Sequence, residues 1–496
     1  MKRLRWMALL AILSLLAAAC SAADTATDAA GDVADDVAEV VDGDDGGDDG
    51  GDDAADDGGD DDGGDDAADD GGDDGGDDAA GGDVVEAATD FGADDEVIRV
   101  GLNADLTGIF SALTTVIVSA QEVYFDRVNA NGGIGGRQVE LVTQDTAYDV
   151  PTHIDNYAAF AEESDNGVVM LSQSTGSPQT TAIAEDLVDD DIIAVPLSWY
   201  SGWATDLGTN VFELYTNYCF EGMNGIEFLV DQSGLDAPTV AIVTNPGEYG
   251  QDSAAGARIA AEALGLEIVV DLEGGIAGDD FAPIVSELVT GQPDIVWIAS
   301  SPGITAEILG GAVAGGLQAL WSGAVPTYNP AVIAEGSPVA PAYDAFFFPS
   351  AYTAAWGSNQ EPGMVDMIDA ITAAQPDATF SQADTFVIGW TEAIFTEAVL
   401  EQATANGDLT RAGVVAAANQ VAVDFQGLAP DQTWDGDPND TAVRENFFYD
   451  IDLSIATVGN TLSAGGSTGL VPLAENFVGS VAAGHEFTEP CFVSAG

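Results

Sequence analysis

The chain has 496 residues, with 86 Asp or Glu against nine Lys or Arg, and a formal net charge of −77. Acidity on that scale disfavours nucleic acid and anionic membrane surfaces as partners. It suits a protein kept soluble in salty surroundings, where screening relieves self-repulsion.

Lys2, Arg3 and Arg5 precede an apolar run over residues 6–19. The run is too short to span a bilayer as a mature helix, and the pattern reads as a secretory signal over residues 1–19. It ends Leu16-Ala17-Ala18-Ala19-Cys20. Small residues followed by a cysteine resemble the lipobox of bacterial lipoproteins, although that family usually has Leu where Ala17 stands. The resemblance implies that Cys20 is lipidated and becomes the N-terminus. An ordinary cleaved signal is the plainer alternative.

Residues 21–97 hold 32 of the acids and no Lys or Arg, in blocks such as GDDGGDDGG. So few apolar groups cannot offset the entropy of ordering. Residues 20–95 read as a disordered acidic tether, about 75 residues with a reach of roughly 45–50 Å. A calcium-bound β-roll is the sharper alternative, but DDGG blocks lack the apolar residue each turn needs.

From residue 98 onward there are 54 acids, six arginines and no lysine, in a length sufficient for two α/β lobes. After Cys20 only Cys219 and Cys491 remain. In an exported protein such a pair is a disulfide candidate, two buried thiols being the alternative. No second apolar run is long enough to cross a membrane.

Strands and helices then alternate. Strands are expected at 97–102, 138–143, 167–171 and 192–196, with helices at 113–129, 152–163 and 178–188 between them. The cycle restarts with strands at 239–244, 266–271 and 294–299 and helices at 251–264, 281–290 and 304–315. Such alternation implies parallel sheets covered on both faces. Three helices follow, at 360–374, 382–403 and 409–420, and then a strand at 447–453. The run Gly132-Gly133-Ile134-Gly135-Gly136 lies after a helix and before a strand. That order fits a helix stop and tight turn and opposes a phosphate cradle.

Ligands of open parallel sheets bind beyond the carboxyl ends of the strands. Ser177-Pro178, Asn245-Pro246 and Ser301-Pro302 all follow strands, where Ser or Asn can cap a helix and Pro suits its first turn. The loop Ser174-Thr175-Gly176-Ser177 directs hydroxyls and amides at a helix N-terminus that favours an anion. Plain capping is the bland alternative. Trp199, Tyr200, Trp203, Tyr249 and Tyr328 stand at the same edges and could wall a small ligand. His153 and His485 lie in unlike contexts, and no GxSxG, HExxH or GxxxxGK[ST] occurs, so nothing points to a catalytic set, a metal or a cofactor.

Ile98-Arg99-Val100-Gly101-Leu102 with Leu106-Thr107-Gly108 opens a stretch that resembles the leucine/isoleucine/valine-binding proteins of ABC importers, which are type I periplasmic binding proteins. Asn131-Gly132-Gly133-Ile134-Gly135-Gly136 with Val139-Glu140-Leu141-Val142, Glu248-Tyr249-Gly250, Gly389-Trp390-Thr391-Glu392-Ala393, Gly427-Leu428 and Trp434-Asp435 are similar to later family segments. The resemblance runs over residues 97–455. It implies an α/β fold of two doubly wound parallel-sheet lobes, residues 96–216 with 349–447 and residues 217–348 with 448–496. Three crossovers would fall near 212–217, 345–349 and 447–451. It also implies hinge closure on a small solute and no enzymatic activity. The implied partners are an amino acid or amide-like ligand and an ABC permease. The protein would be an extracytoplasmic monomer held to the bacterial cell membrane only by its lipid. A sensor of the same fold without a permease is the alternative. By resemblance Ser174 and Thr175 would hold a carboxylate, Leu197 and Trp199 would follow the fourth strand, and Tyr249 would stack. Ser301 stands where amino-acid binders often have Tyr, and the acid that pairs with a ligand ammonium lines up near Val325. Ser301 and Tyr328 complete the expected set.

Overall fold

The computed structural model describes residues 84–205, 210–275 and 278–493. The leader, Cys20 and residues 20–83 of the expected tether lie outside the described residues.

The sequence reading extends the tether to residue 95, whereas residues 84–95 are docked. Ala88–Thr89 pairs in parallel with Asp408–Leu409. The fully buried Arg137 donates from Nε to the Asp94 carbonyl (2.7 Å) and from Nη1 to that of Val85 (2.9 Å). These two carbonyls, with the Asp95 carboxylate 3.6 Å from Nη2, hold this stretch in place.

The first sheet contains β1 (Val97–Ala104), β2 (Gln138–Asp145), β3 (Met170–Thr175) and β4 (Ile193–Leu197), all parallel, in the order β2-β1-β3-β4. Its crossover helices are α1 (Ser111–Ala130), α2 (Val150–Ala161) and α3 (Ser177–Asp189). β3 is buried at every residue, as a central parallel strand covered on both faces must be. The glycine run does form a turn after α1, and a Cβ on Gly133 (φ +70°) would come within 1.9 Å of the Arg137 carbonyl. Only glycine fits there.

After β4 the chain enters α4 (Tyr218–Ser233), which no sequence signal announced. Asn217 caps it, its side chain accepting from the Phe220 N–H at 3.0 Å. Residues Tyr218 to Ile226 are all buried, so no polar stripe marks the helix. Gly225 lets the fully buried Trp297 ring lie against the helix, since a Cβ there would fall 2.0 Å from the indole.

The second sheet follows with β5 (Val240–Thr244), α5 (Gly247–Leu264), β6 (Ile268–Glu273), α6 (Ala282–Gly291), β7 (Ile295–Ala299), α7 (Pro302–Ala314), β8 (Leu320–Gly323) and β9 (Phe347–Ala351). The chain then returns to the first sheet. Helices α8 (Pro362–Ala374) and α9 (Ala383–Asn406) pack on α1, α9 also covers β3, and α10 (Arg411–Ala418) packs on α9. Finally β10 (Asn446–Ile451) and β11 (Leu470–Phe477) join the second sheet antiparallel, giving the order β11-β10-β9-β8-β7-β5-β6. The three late helices therefore complete the first lobe, and the chain passes between the lobes three times.

Cys219 and Cys491 form a disulfide with Cα atoms 6.2 Å apart. Around it the Tyr200 hydroxyl donates to the Phe492 carbonyl and the Cys491 N–H donates to Ser201 Oγ. Arg444 donates to the Ala482 and His485 carbonyls and lies over the Phe220 ring. No helix among the described residues is long and apolar enough to cross a membrane.

Candidate functional site

A cavity of about 110 Å³ opens between the lobes. The first sheet reaches it through every strand end. Phe110 and Ile117 come after β1, Tyr148 after β2, Thr175 ends β3 with Gly176 and Ser177 after it, and Leu197 ends β4 with Trp199 beyond. The second lobe supplies Tyr218 of α4, Tyr249 of α5, Val325, Pro326 and Tyr328 after β8, and residues 349–353 around the end of β9. Asp384, Thr385 and Ile388 of α9 close one side. An engineered apolar cavity of about 150 Å³ holds benzene, so the space suits a compact organic molecule.

The lining is mainly aromatic, aliphatic and proline. Trp199 and Tyr352 pack with centroids 4.4 Å apart, Tyr218 and Tyr249 at 4.8 Å, and Phe110 and Tyr148 at 4.9 Å. Tyr249 is fixed by donating to the Ser300 carbonyl at 3.0 Å. At the polar end, Gly176 (φ +101°) precedes α3, which has no side-chain cap. Ser177 Oγ instead meets Ser198 Oγ at 2.7 Å, and the Thr175 hydroxyl accepts from Gln173 at 3.0 Å. Pro178 has no N–H and that of Thr180 donates to the Gly176 carbonyl, which leaves the Ser177 and Gln179 amides and the Thr175 hydroxyl proton suited to an acceptor group.

One buried acid organises the second-lobe wall. Glu221 of α4 is fully buried and accepts from the Val325 N–H (2.8 Å), Ser350 Oγ (2.8 Å) and the Tyr352 hydroxyl (3.0 Å). All three donors belong to cleft-lining residues. Burial pushes its carboxyl up to about 8 despite these bonds. By resemblance the family's ammonium-pairing acid aligns with Val325, an apolar residue here, and Glu221 lies behind it, accepting from its N–H. It was missed because it belongs to the unannounced helix α4.

Of the seven expected contacts, Thr175, Leu197, Trp199, Tyr249 and Tyr328 line the cavity. Ser174 does not. It faces inward, its hydroxyl 2.8 Å from Thr180 Oγ1 and 3.2 Å from Nε2 of the buried His153. Desolvation holds that imidazole down at about 3, neutral and structural. Ser301 does not line the cavity either; it takes the N-cap position of α7 without a side-chain capping bond. Tyr200 and Trp203 pack on each other away from the cleft, in the cluster beneath α2 and α3. Asp384 lines the cleft and was not anticipated, because acids occur throughout this sequence and singly carry no signal.

A periplasmic binding protein family model matches residues 97–455. The chain belongs to the periplasmic binding protein family. A fatty acid ABC transporter substrate-binding protein from Thermomonospora curvata superposes with a TM-score of 0.71 at 25% identity, over 80% of this chain and 97% of that one. A branched chain amino acid ABC transporter structure from Thermus thermophilus with bound valine gives 0.66 at 18% identity, over 78% and 98%. A branched-chain amino acid transporter substrate binding protein from Streptococcus pneumoniae in complex with isoleucine gives 0.61 at 17%, over 76% and 99%. No curated protein sequence matches significantly. All three superposed structures are named as parts of transporters.

Proposed function

We propose that this protein captures an amino acid or a related small solute with a largely apolar body between its lobes, closes on it by a hinge motion, and delivers it to an ABC permease. The observation that carries this reading is the cavity itself, built from strand-end loops of both sheets and lined mainly by aromatic and aliphatic side chains. Thr175, Leu197, Trp199, Tyr249 and Tyr328 are the proposed contacts, with a carboxylate or carbonyl of the solute at the first turn of α3. Solutes named in the matched structures, valine, isoleucine and a fatty acid, all carry such a group on an apolar body. Closure follows from differential affinity, since a ligand touching both lobes binds the closed state better.

The test is calorimetry and thermal melting of the mature protein, as a monomer, against amino acids, amides and aliphatic acids at high salt. At least one solute should bind with an upward melting shift. Absence of any binding overturns the reading.

We propose further that Cys20 is acylated and that the acidic segment tethers the body to the outer face of the membrane. Reach and retention together would let a soluble body dock and release. Mass spectrometry of the native protein should find a lipid-modified Cys20; an unmodified N-terminus would remove the anchor and leave the solute-binding reading intact.

A further inference from the structure

The cleft contains one charged side chain, Asp384, near the start of α9. Its Oδ1 accepts from the Trp356 N–H at 2.8 Å and from Thr468 Oγ1 at 3.4 Å. Its Oδ2 is shielded from solvent and meets no donor. The hydroxyl of Tyr328, another cleft residue, is also buried without a partner, and so is the indole N–H of Trp199. Three unsatisfied polar atoms thus belong to the lining of one mainly apolar cavity, and each orphaned group costs about 1–3 kcal/mol.

An ionised carboxylate in such surroundings calls for a counter-charge. Among the described residues no Lys or Arg lines the cleft. No lysine occurs after Lys2, and none of the six arginines lines the cavity. Arg127 and Arg258 pair with Asp366 and Asp271, and Arg99 lies beside Asp94 and Glu140. Arg137, Arg411 and Arg444 are engaged by backbone carbonyls. The positive end of α9 favours an acid in its first turn, which explains an Asp there but leaves Oδ2 unmatched. Burial raises the carboxyl to about 6, so it remains mostly ionised at neutral pH.

We infer that Asp384 is the specificity-determining residue of this cleft, selecting solutes that bring a hydrogen-bond-donating, cationic group beside their apolar body. Oδ2 accepts from that group and the Tyr328 hydroxyl orients next to it. The inference rests on the cleft being the ligand site, and it separates two classes that the apolar lining alone would accept, amines and simple fatty acids.

Matched pairs test it on the mature protein by calorimetry near neutral pH at high salt. Leucine is compared with 4-methylpentanoate, and phenylalanine with 3-phenylpropanoate and phenethylamine. The amine-bearing members should bind tighter by roughly tenfold or more, the size expected for one charge-assisted hydrogen bond. Asp384→Asn keeps an acceptor for the Trp356 N–H and should abolish that preference while changing the deaminated acids by less than about threefold. Asp384→Ser, with melting curves for both variants, checks that the loss is not unfolding. Equal or tighter binding of the deaminated acids by the unaltered protein overturns the inference. So does a uniform loss for both members in Asp384→Asn, which would mark a structural role. Binding of fatty acids alone would leave the cleft reading standing and remove Asp384 from it. Failure of every acid, amide and amine to bind would take away the cleft reading and this inference with it.

Discussion

Two acids serve the same cleft from opposite lobes, and they are provided for in opposite ways. Glu221 lies behind the wall with three donors converging on it from Val325, Ser350 and Tyr352. Asp384 stands in the wall with one oxygen bonded and the other bare. A carboxyl group whose oxygens are engaged by the fold is a structural joint, here tying α4 to the segments after β8 and at β9. A carboxylate half filled by the fold is one whose remaining partner must come from elsewhere. The contrast predicts that altering the first disturbs stability and altering the second disturbs selectivity.

Glu221→Ala should give the largest effect. It strands the Val325 N–H and the Tyr352 hydroxyl, while Ser350 keeps the Gly323 carbonyl at 2.6 Å, and a loss of about 3 kcal/mol is expected, read as a large drop in melting midpoint. A midpoint within a degree of the parent would end the idea that Glu221 is a joint. Protonation gives a second handle. The Glu221 carboxyl is held at about 8 when folded against 4.5 in the free side chain. Between those values the folded chain keeps a proton that the unfolded chain has lost. The contribution of this group is therefore greatest at the acid end and declines as pH rises through 8. Melting midpoints taken from pH about 5 to 8.5 should fall more steeply for the parent than for Glu221→Gln; parallel profiles would contradict the assignment. Tyr352→Phe removes one of the three donors and should cost about 1 kcal/mol, a fraction of the alanine effect. The smallest stability change, and one of opposite sign, is expected for Asp384→Asn. Removing an uncompensated charge while keeping the Trp356 bond should leave the melt unchanged or raise it by up to about 1 kcal/mol. A marked destabilisation would make Asp384 a joint like Glu221.

How far the sequence could be read follows from how each element is buried. β1 to β7 and, α4 apart, the helices between them were legible because each alternates a short β-branched run with an amphipathic stretch bounded by Gly, Pro or Asn. α4 was hidden because it is buried on nearly every side and carries glycines at 222 and 225. β9 was read as part of a connection, since Pro349 removes a donor in the middle of a five-residue strand. β11 has Pro472 and no alternating pattern, as suits an antiparallel edge. At the site, loop aromatics beyond strand ends were a usable signal for Trp199, Tyr249 and Tyr328, whereas Tyr200 and Trp203, from the same cluster, turned to the core. Ser174 shows the limit of loop arguments, because one residue separates a side chain facing His153 from Thr175 facing the cavity. Asp384 and Glu221 depend on three-dimensional placement, and in so acidic a chain no composition argument could single them out.

The bond between Cys219 and Cys491 also makes most of the folded body a covalent ring. Its two ends are 272 residues apart in sequence, and the path between them runs through the whole second sheet and out through α8, α9 and α10. A ring of that size removes chain freedom equivalent to about 5–6 kcal/mol from the denatured ensemble. Because one end begins α4 and the other lies against Tyr200 and Ser201 of the first lobe, thermal opening of either lobe takes place in a molecule that cannot extend fully. The start of α4 and the end of the folded body would thus stay neighbours through transient unfolding, with everything between them held in one loop.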